Sequence, residues 1–273
     1  MTVDMSPQTL EGALDHLYEK YNRREFIHPD PLEFLYCYDN LRDREIAGLL
    51  ASSLAYGRVS QILKSISTVL ERMVPSPFCF LEGVSMESLL RTFSDFKHRF
   101  TTGDELAVTL YGIKSVIMKY GSLYACFKTA LGNDTETISP ALTSFVKELR
   151  TGFINRNNSL LPSPVKGSAC KRLNLFLRWM VRQDDVDPGG WNDIPPSRLI
   201  VPLDTHLHRI CLILGLTQRK QADMKTAREI TDAFRKIIPH DPVRYDFSLT
   251  RLGIRKDAHL KSFLYQCRER KVT

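Results

Sequence analysis

The chain has no pair of cysteines at C-x-x-C spacing. Its 6 cysteines, Cys37, Cys79, Cys126, Cys170, Cys211 and Cys267, are scattered over 273 residues, which argues against a zinc ribbon or an iron–sulfur loop. Long apolar runs are missing as well, since nothing approaches the roughly 18 residues that a membrane span needs. The opening MTVDMSPQTLEGALDHLYEK is acidic and amphipathic and lacks the basic-then-apolar layout of an export signal. These absences lead to the expectation of a cytoplasmic protein whose cysteines are reduced and mostly buried. Strand-like alternation is scarce, and no internal repeat or low-complexity stretch is visible. The fold class expected is therefore all-α.

What is present is ordinary apolar content (43%), ordinary charge content (25%) and a net charge of +7, which makes an anionic partner plausible. Helical periodicity runs through Pro7–Tyr21, with Ser6 as its cap and Leu10, Leu14 and Leu17 on one face. Arg44–Leu54 is rich in Ala and Leu and close to apolar all round, which suggests a central buried helix. Val59–Met73 follows across the joint Ala55-Tyr56-Gly57-Arg58. Helical patterns return at Met86–Thr92, Gly103–Tyr120, Ser122–Leu131 and Ala141–Thr151, then a polar connection, Thr151–Ser163. The last helices are Asp223–Ile238, Tyr245–Ile254 and His259–Arg268. From Arg251 to Thr273 there are 7 Lys/Arg and 2 acids, read either as a solvated tail or as a DNA-phosphate contact.

The most informative stretch is Lys166–Leu216. Five basic residues (Lys166, Lys171, Arg172, Arg178, Arg182) and no acid lie between positions 166 and 182, on a helix whose start we place at Ser168, a good N-cap. Lys171 and Arg172 then fall in the first turn, where the helix dipole disfavours cations by some tenths of a kcal/mol each. A sequence that tolerates this is consistent with an anion bound there. An acidic insertion, Gln183–Ser197, carries Asp184, Asp185, Asp187 and Asp193 beside Trp191, without convincing metal-ligand spacing. Val201-Pro202-Leu203-Asp204-Thr205-His206 leads into a helix with Leu207, Ile210, Cys211 and Leu214 on one face. Asp204 stands at its N-cap and Gly215 just past its end. His206 and His208 lie about 200° apart on that helix and do not converge on one metal.

Pro202-Leu203-Asp204-Thr205-His206, with Arg209, Leu214-Gly215-Leu216 and Ile238-Pro239, resembles the second half of the helix-hairpin-helix base-excision DNA glycosylases, the superfamily of endonuclease III and the archaeal oxidised-purine glycosylases. The whole chain is similar to a divergent branch of that superfamily. The resemblance implies a two-lobed helical fold, with one lobe from about 31 to 182 and the other from 1–30 plus 183–273. It implies damaged double-stranded DNA as partner, a monomer, and no cofactor or metal. Leu161-Pro162-Ser163-Pro164-Val165-Lys166-Gly167 stands where the superfamily has its phosphate-binding hairpin, so Lys166, Gly167, Ser168 and Arg172 are expected to contact DNA. Tyr56 matches the position that fills the gap left by an extruded base; otherwise it packs a helix end.

By the same resemblance Asp204 is the catalytic carboxylate, a role compatible with capping. Bifunctional members use an amine early in the preceding helix as nucleophile on the sugar C1′. Here Lys171 is the amine, while matching Phe176 and Met180 places Arg172 at that position. Arginine stays protonated and cannot serve, so both a lysine-dependent and a water-dependent enzyme remain open. Trp191 and His206 are assigned to the base pocket, with a core position as the other reading for Trp191. Rival functions are a non-catalytic DNA-binding module and, through the acidic insertion, a metal-dependent nuclease.

Overall fold

The computed structural model describes residues 7–132, 137–151, 158–254 and 259–269. The first half of the chain forms α1 (Pro7–Tyr21), α2 (Leu41–Ser53), α3 (Val59–Glu71), α4 (Pro77–Gly83) and α5 (Met86–Thr92). A small hairpin, β1 (Lys97–His98) and β2 (Thr101–Thr102), precedes α6 (Gly103–Tyr120), α7 (Leu123–Thr129) and α8 (Ser139–Leu149). Then come α9 (Lys171–Val181), α10 (Thr205–Ile213), α11 (Met224–Ile237), α12 (Asp246–Ile254) and α13 (Leu260–Glu269). The fold is all-α: among the described residues the hairpin, with Lys97 opposite Thr102 and His98 opposite Thr101, is the only sheet.

Local chemistry sets most helix starts. Asn40, Ser76, Ser85, Ser122 and Asp223 each cap the helix that follows with a side-chain oxygen, satisfying N–H groups that have no partner within the helix. Thr102 and Glu105 form a reciprocal capping box on α6. α2 is the centre of the molecule. Ile46, Ala47, Leu49, Leu50 and Ala51 are at most 1% exposed, as expected of a helix apolar on nearly every side. α9 and the 3-10 turn Pro31–Cys37 pack against it, α5, α7 and α8 surround α6, and α1 lies on α12 and α13.

One boundary differs from expectation. α9 begins at Lys171, not at Ser168, because Cys170 takes a left-handed conformation (φ 48) and no side chain caps the helix. The Ser168 hydroxyl instead accepts the N–H of Cys170 at 3.3 Å. The expected cap Ser6, residues 152–157 of the polar connection, and residues 255–258 and 270–273 of the basic tail lie outside the described residues.

Candidate functional site

The end of α2, the start of α3, the approach to α9, the cap of α10 and one face of α12 enclose a cleft of about 780 Å³. Of the residues expected at the site, Tyr56, Ser168, Lys171, Arg172, Asp204 and His206 all line it, although they come from three separate parts of the chain. Lys166, Gly167 and Trp191 do not.

Asp204 is the N-cap of α10. Its Oδ1 accepts the N–H groups of His206 and Leu207 at 2.9 and 2.8 Å, while Oδ2 accepts no hydrogen bond from the described residues. The buried Pro202 and Leu203 before it fix the direction from which the chain arrives. Capping thus orients the carboxylate and leaves one oxygen over for the cleft. His206 Nε2 is buried without a partner. Lys171, in the first turn of α9, makes no hydrogen bond or ion pair with the described residues.

Arg172 is engaged differently. Its guanidinium donates to the carbonyls of Ser53 and Ser159 and lies 5.0 Å from the centre of the Tyr56 ring. It ties the end of α2, where carbonyls lack helical partners, to the chain just before the Leu161–Gly167 segment. Burial lowers its pKa from the usual arginine value. With no carboxylate on it, Arg172 acts as a strut between elements.

Tyr56 is fixed as well. Its hydroxyl donates to the His98 carbonyl at 3.0 Å and meets Thr101 Oγ1 at 2.6 Å. The ring stacks on Phe100 at 5.4 Å with 13° between planes. Of the two readings of Tyr56 this is the one in which it packs a helix end, and the outermost aromatic there is Phe100, 66% exposed at the tip of the β1–β2 hairpin. Arg99 turns that tip in a left-handed conformation (φ 56). Gly57 (φ 106) lets it sit close, since a Cβ there would lie 2.9 Å from Arg99 Cδ.

The Leu161–Gly167 segment forms a single 3-10 turn, Pro164–Lys166, closed by Gly167 in a left-handed conformation (φ 79). Lys166, Gly167 and Ser168 are exposed. Gly167 is anchored through its carbonyl, which accepts the N–H of Met224 at 3.1 Å. Lys166 and Ser168 line a shallow groove of about 310 Å³ with Glu105 and Asn158. No side chain caps α9, so its first N–H groups lack the partner that the other caps provide.

The basic face of α9 is not free surface. Arg178 and Arg182 are 3% and 4% exposed and surround the fully buried Asp187. Arg178 also pairs with Asp246, and Arg182 with Asp184 at 2.8 Å and Asp241 at 2.9 Å. Two of the four acids of the insertion, Asp184 and Asp187, are therefore internal counter-charges of α9 and its C-cap. Asp193 pairs with Lys128 at the surface. Among the described residues no three His, Cys, Asp or Glu side chains are grouped to hold a metal ion.

Trp191, assigned from sequence to a base pocket, belongs to the core. It is 0% exposed, its ring lies among Tyr124, Phe127 and Phe176, and Nε1 donates to Glu45 Oε1 at 2.8 Å. A buried indole needs such an acceptor, and the carboxylate of Glu45 provides it from α2.

Sequence reasoning missed the α12 side of the cleft, which carries Asp246, Phe247, Thr250 and Arg251. Arg251 is 1% exposed, donates to the Phe26 carbonyl and Asp30, and lies 4.1 Å from the Phe247 ring centre. The signal available was Arg251, a charge inside a largely apolar helix; buried charges are rare unless paired. The chain matches no curated protein and no solved structure. Residues 30–255, which span the cleft, match one family model, and the chain belongs to that family, described as a protein of unknown function (DUF2400).

Proposed function

We propose that the chain is a DNA glycosylase-like enzyme that takes a damaged base out of duplex DNA into this cleft and breaks its N-glycosidic bond. The observation that carries the reading is the meeting of Asp204 and Lys171 in one cleft. Asp204 has an oxygen left over from its capping role, and Lys171 has no partner among the described residues. The resemblance around Pro202–His206 gives Asp204 its chemistry, and the family's amine falls early in α9, where Lys171 stands next to Arg172.

In this reading two helical lobes hold the DNA across the cleft. The exposed turn at Lys166–Ser168 and the open N–H groups of α9 take a backbone phosphate. A duplex hides its bases, so the target must leave the stack to reach Asp204. As the bond breaks, positive charge develops on the sugar, and the preorganised carboxylate stabilises it. The engagement of Arg172 with two carbonyls leaves Lys171 as the amine available to attack C1′.

The test is a panel of duplexes carrying uracil, alkylated purine, oxidised purine, oxidised pyrimidine or an abasic site, incubated with and without chelator. Wild type is expected to release at least one base, and Asp204→Asn to release none while binding DNA as well or better. DNA binding without any product favours the non-catalytic module, and activity lost only to chelator favours a nuclease.

A further inference from the structure

The cleft holds a second carboxyl group, Asp246, the first residue of α12. Its side chain is 3% exposed. Oδ2 accepts a hydrogen bond from Arg178 Nη1, whereas Oδ1 is buried and meets no donor. A buried oxygen of this kind is costly unless something bonds to it. None of the described residues supplies a donor, so the partner is either a proton on the oxygen itself or a group that enters the cleft.

The surroundings favour the proton. α9 presents Arg178 and Lys171 to Asp246, while Asp204 and Cys211 approach from the α10 side. Arg178 does not neutralise Asp246 alone, because Asp187 shares the same guanidinium through Nε and Nη2, and Asp30 bears on it too. Burial, and then the charge of Asp204, push Asp246 above the ordinary carboxyl range, with Arg178 and Lys171 opposing. One carboxyl is therefore a cap with a spare oxygen, and the other is enclosed with an oxygen that nothing satisfies.

We propose that Asp246 is the general acid of this cleft, delivering a proton from Oδ1 to the departing base. The inference rests on the glycosylase reading above. The C1′–N bond breaks and its electron pair stays on the base nitrogen, which takes the Asp246 proton and leaves as a neutral base. The sugar cation faces Asp204 and is captured by the Lys171 amine or by water, which then gives up one proton to solvent. Asp246 regains its own from solvent. The substrate class follows from this. A neutral purine or pyrimidine lesion leaves as an anion unless it is protonated, while a purine alkylated at N7 already carries positive charge and leaves neutral without help. The site is built for the neutral class.

The experiment compares excision of the neutral lesions of the panel with excision of 7-methylguanine, each across pH, by wild type and by Asp246→Asn. Excision of a neutral base by wild type should fall as pH rises past the point where Asp246 loses its proton, and 7-methylguanine release should stay flat through that range. Asp246→Asn should slow neutral-base release by about 10²–10⁴-fold, the usual worth of a general acid, and abolish the pH limb. Its release of 7-methylguanine should stay within a few-fold of wild type, which also reports that the variant is folded. If the variant does not fold, the two wild-type pH profiles decide alone. If 7-methylguanine is not a substrate, the loss of the pH limb in the variant decides. Identical pH profiles for the two kinds of leaving base, equal loss of both in the variant, or release of 7-methylguanine alone would overturn the assignment of Asp246 and leave the glycosylase reading standing. No release of any base by wild type would overturn both.

Discussion

Trp191 Nε1 donates to Glu45 Oε1 at 2.8 Å in the interior of the protein, and the same carboxylate accepts the backbone N–H groups of Leu123 and Tyr124 at 2.9 and 3.2 Å. One side chain of the central helix thus secures both the acidic insertion and the start of α7. It does so at a cost, because burial pushes the Glu45 pKa up to about 7 in spite of these three donors.

A carboxyl raised in the folded state binds a proton there more tightly than in the unfolded chain. Its contribution to stability is complete below the unfolded value of 4.5 and is lost as pH rises to about 7. Urea unfolding should therefore show stability falling across that window by up to about 3 kcal/mol from this group. Glu45→Gln should flatten the slope. An unchanged slope in that variant would mean Glu45 is not the titrating group. Trp191→Phe, which removes one of the three donors, should destabilise the fold by about 1–3 kcal/mol.

Asp187 lies between Arg178 and Arg182 with no exposure. Removing it leaves two guanidiniums without their common partner, and breaking buried pairs in this way costs about 3–5 kcal/mol. Asp187→Ala should lower the unfolding midpoint sharply, while Asp193→Ala, at an exposed pair with Lys128, should leave it in place. Equal effects would contradict a structural role for the insertion.

Neighbours in sequence, Lys171 and Arg172 should separate in experiment. Arg172→Ala loses two charge-assisted bonds to backbone carbonyls and is expected to destabilise by about 2–4 kcal/mol. Lys171→Ala should leave thermal stability unchanged and abolish any adduct trapped by borohydride on an abasic duplex. An adduct that survives Lys171→Ala would assign the nucleophile to another amine, whereas base release with no adduct in the wild type would assign it to water.

Phe100 should matter for partners more than for the fold. At 66% exposure its loss removes little buried area, so Phe100→Ala should unfold at nearly the wild-type temperature. In the DNA-binding reading it should weaken affinity for duplex at fixed salt, because an exposed aromatic beside the cleft offers a stacking surface for a base. Unchanged affinity would leave the hairpin tip without a role in binding.

The parts of this structure that were legible in the sequence are those set by neighbouring residues. Asp204 as a cap, Gly215 in a left-handed conformation (φ 71) after α10 and the buried α2 all follow from local spacing. The parts that were not legible depend on contacts distant in sequence. Pocket and core stayed open as readings of Trp191 because its acceptor, Glu45, lies 146 positions away. The burial of Arg178 and Arg182 was not legible because their partners Asp241 and Asp246 lie far along the chain. Ser168 looked like a cap because nothing in the order of residues shows that Cys170 turns left-handed. Asp246 gave no sign of itself, since an acid at the start of a helix is ordinarily there for the dipole.

The most direct test of the account is base release by wild type and Asp204→Asn on the lesion panel, with DNA affinity measured on the same preparations. The account predicts release of at least one lesion by wild type in the presence of chelator, none by Asp204→Asn, and affinity in the variant equal to or higher than wild type. Excision retained by Asp204→Asn would contradict it.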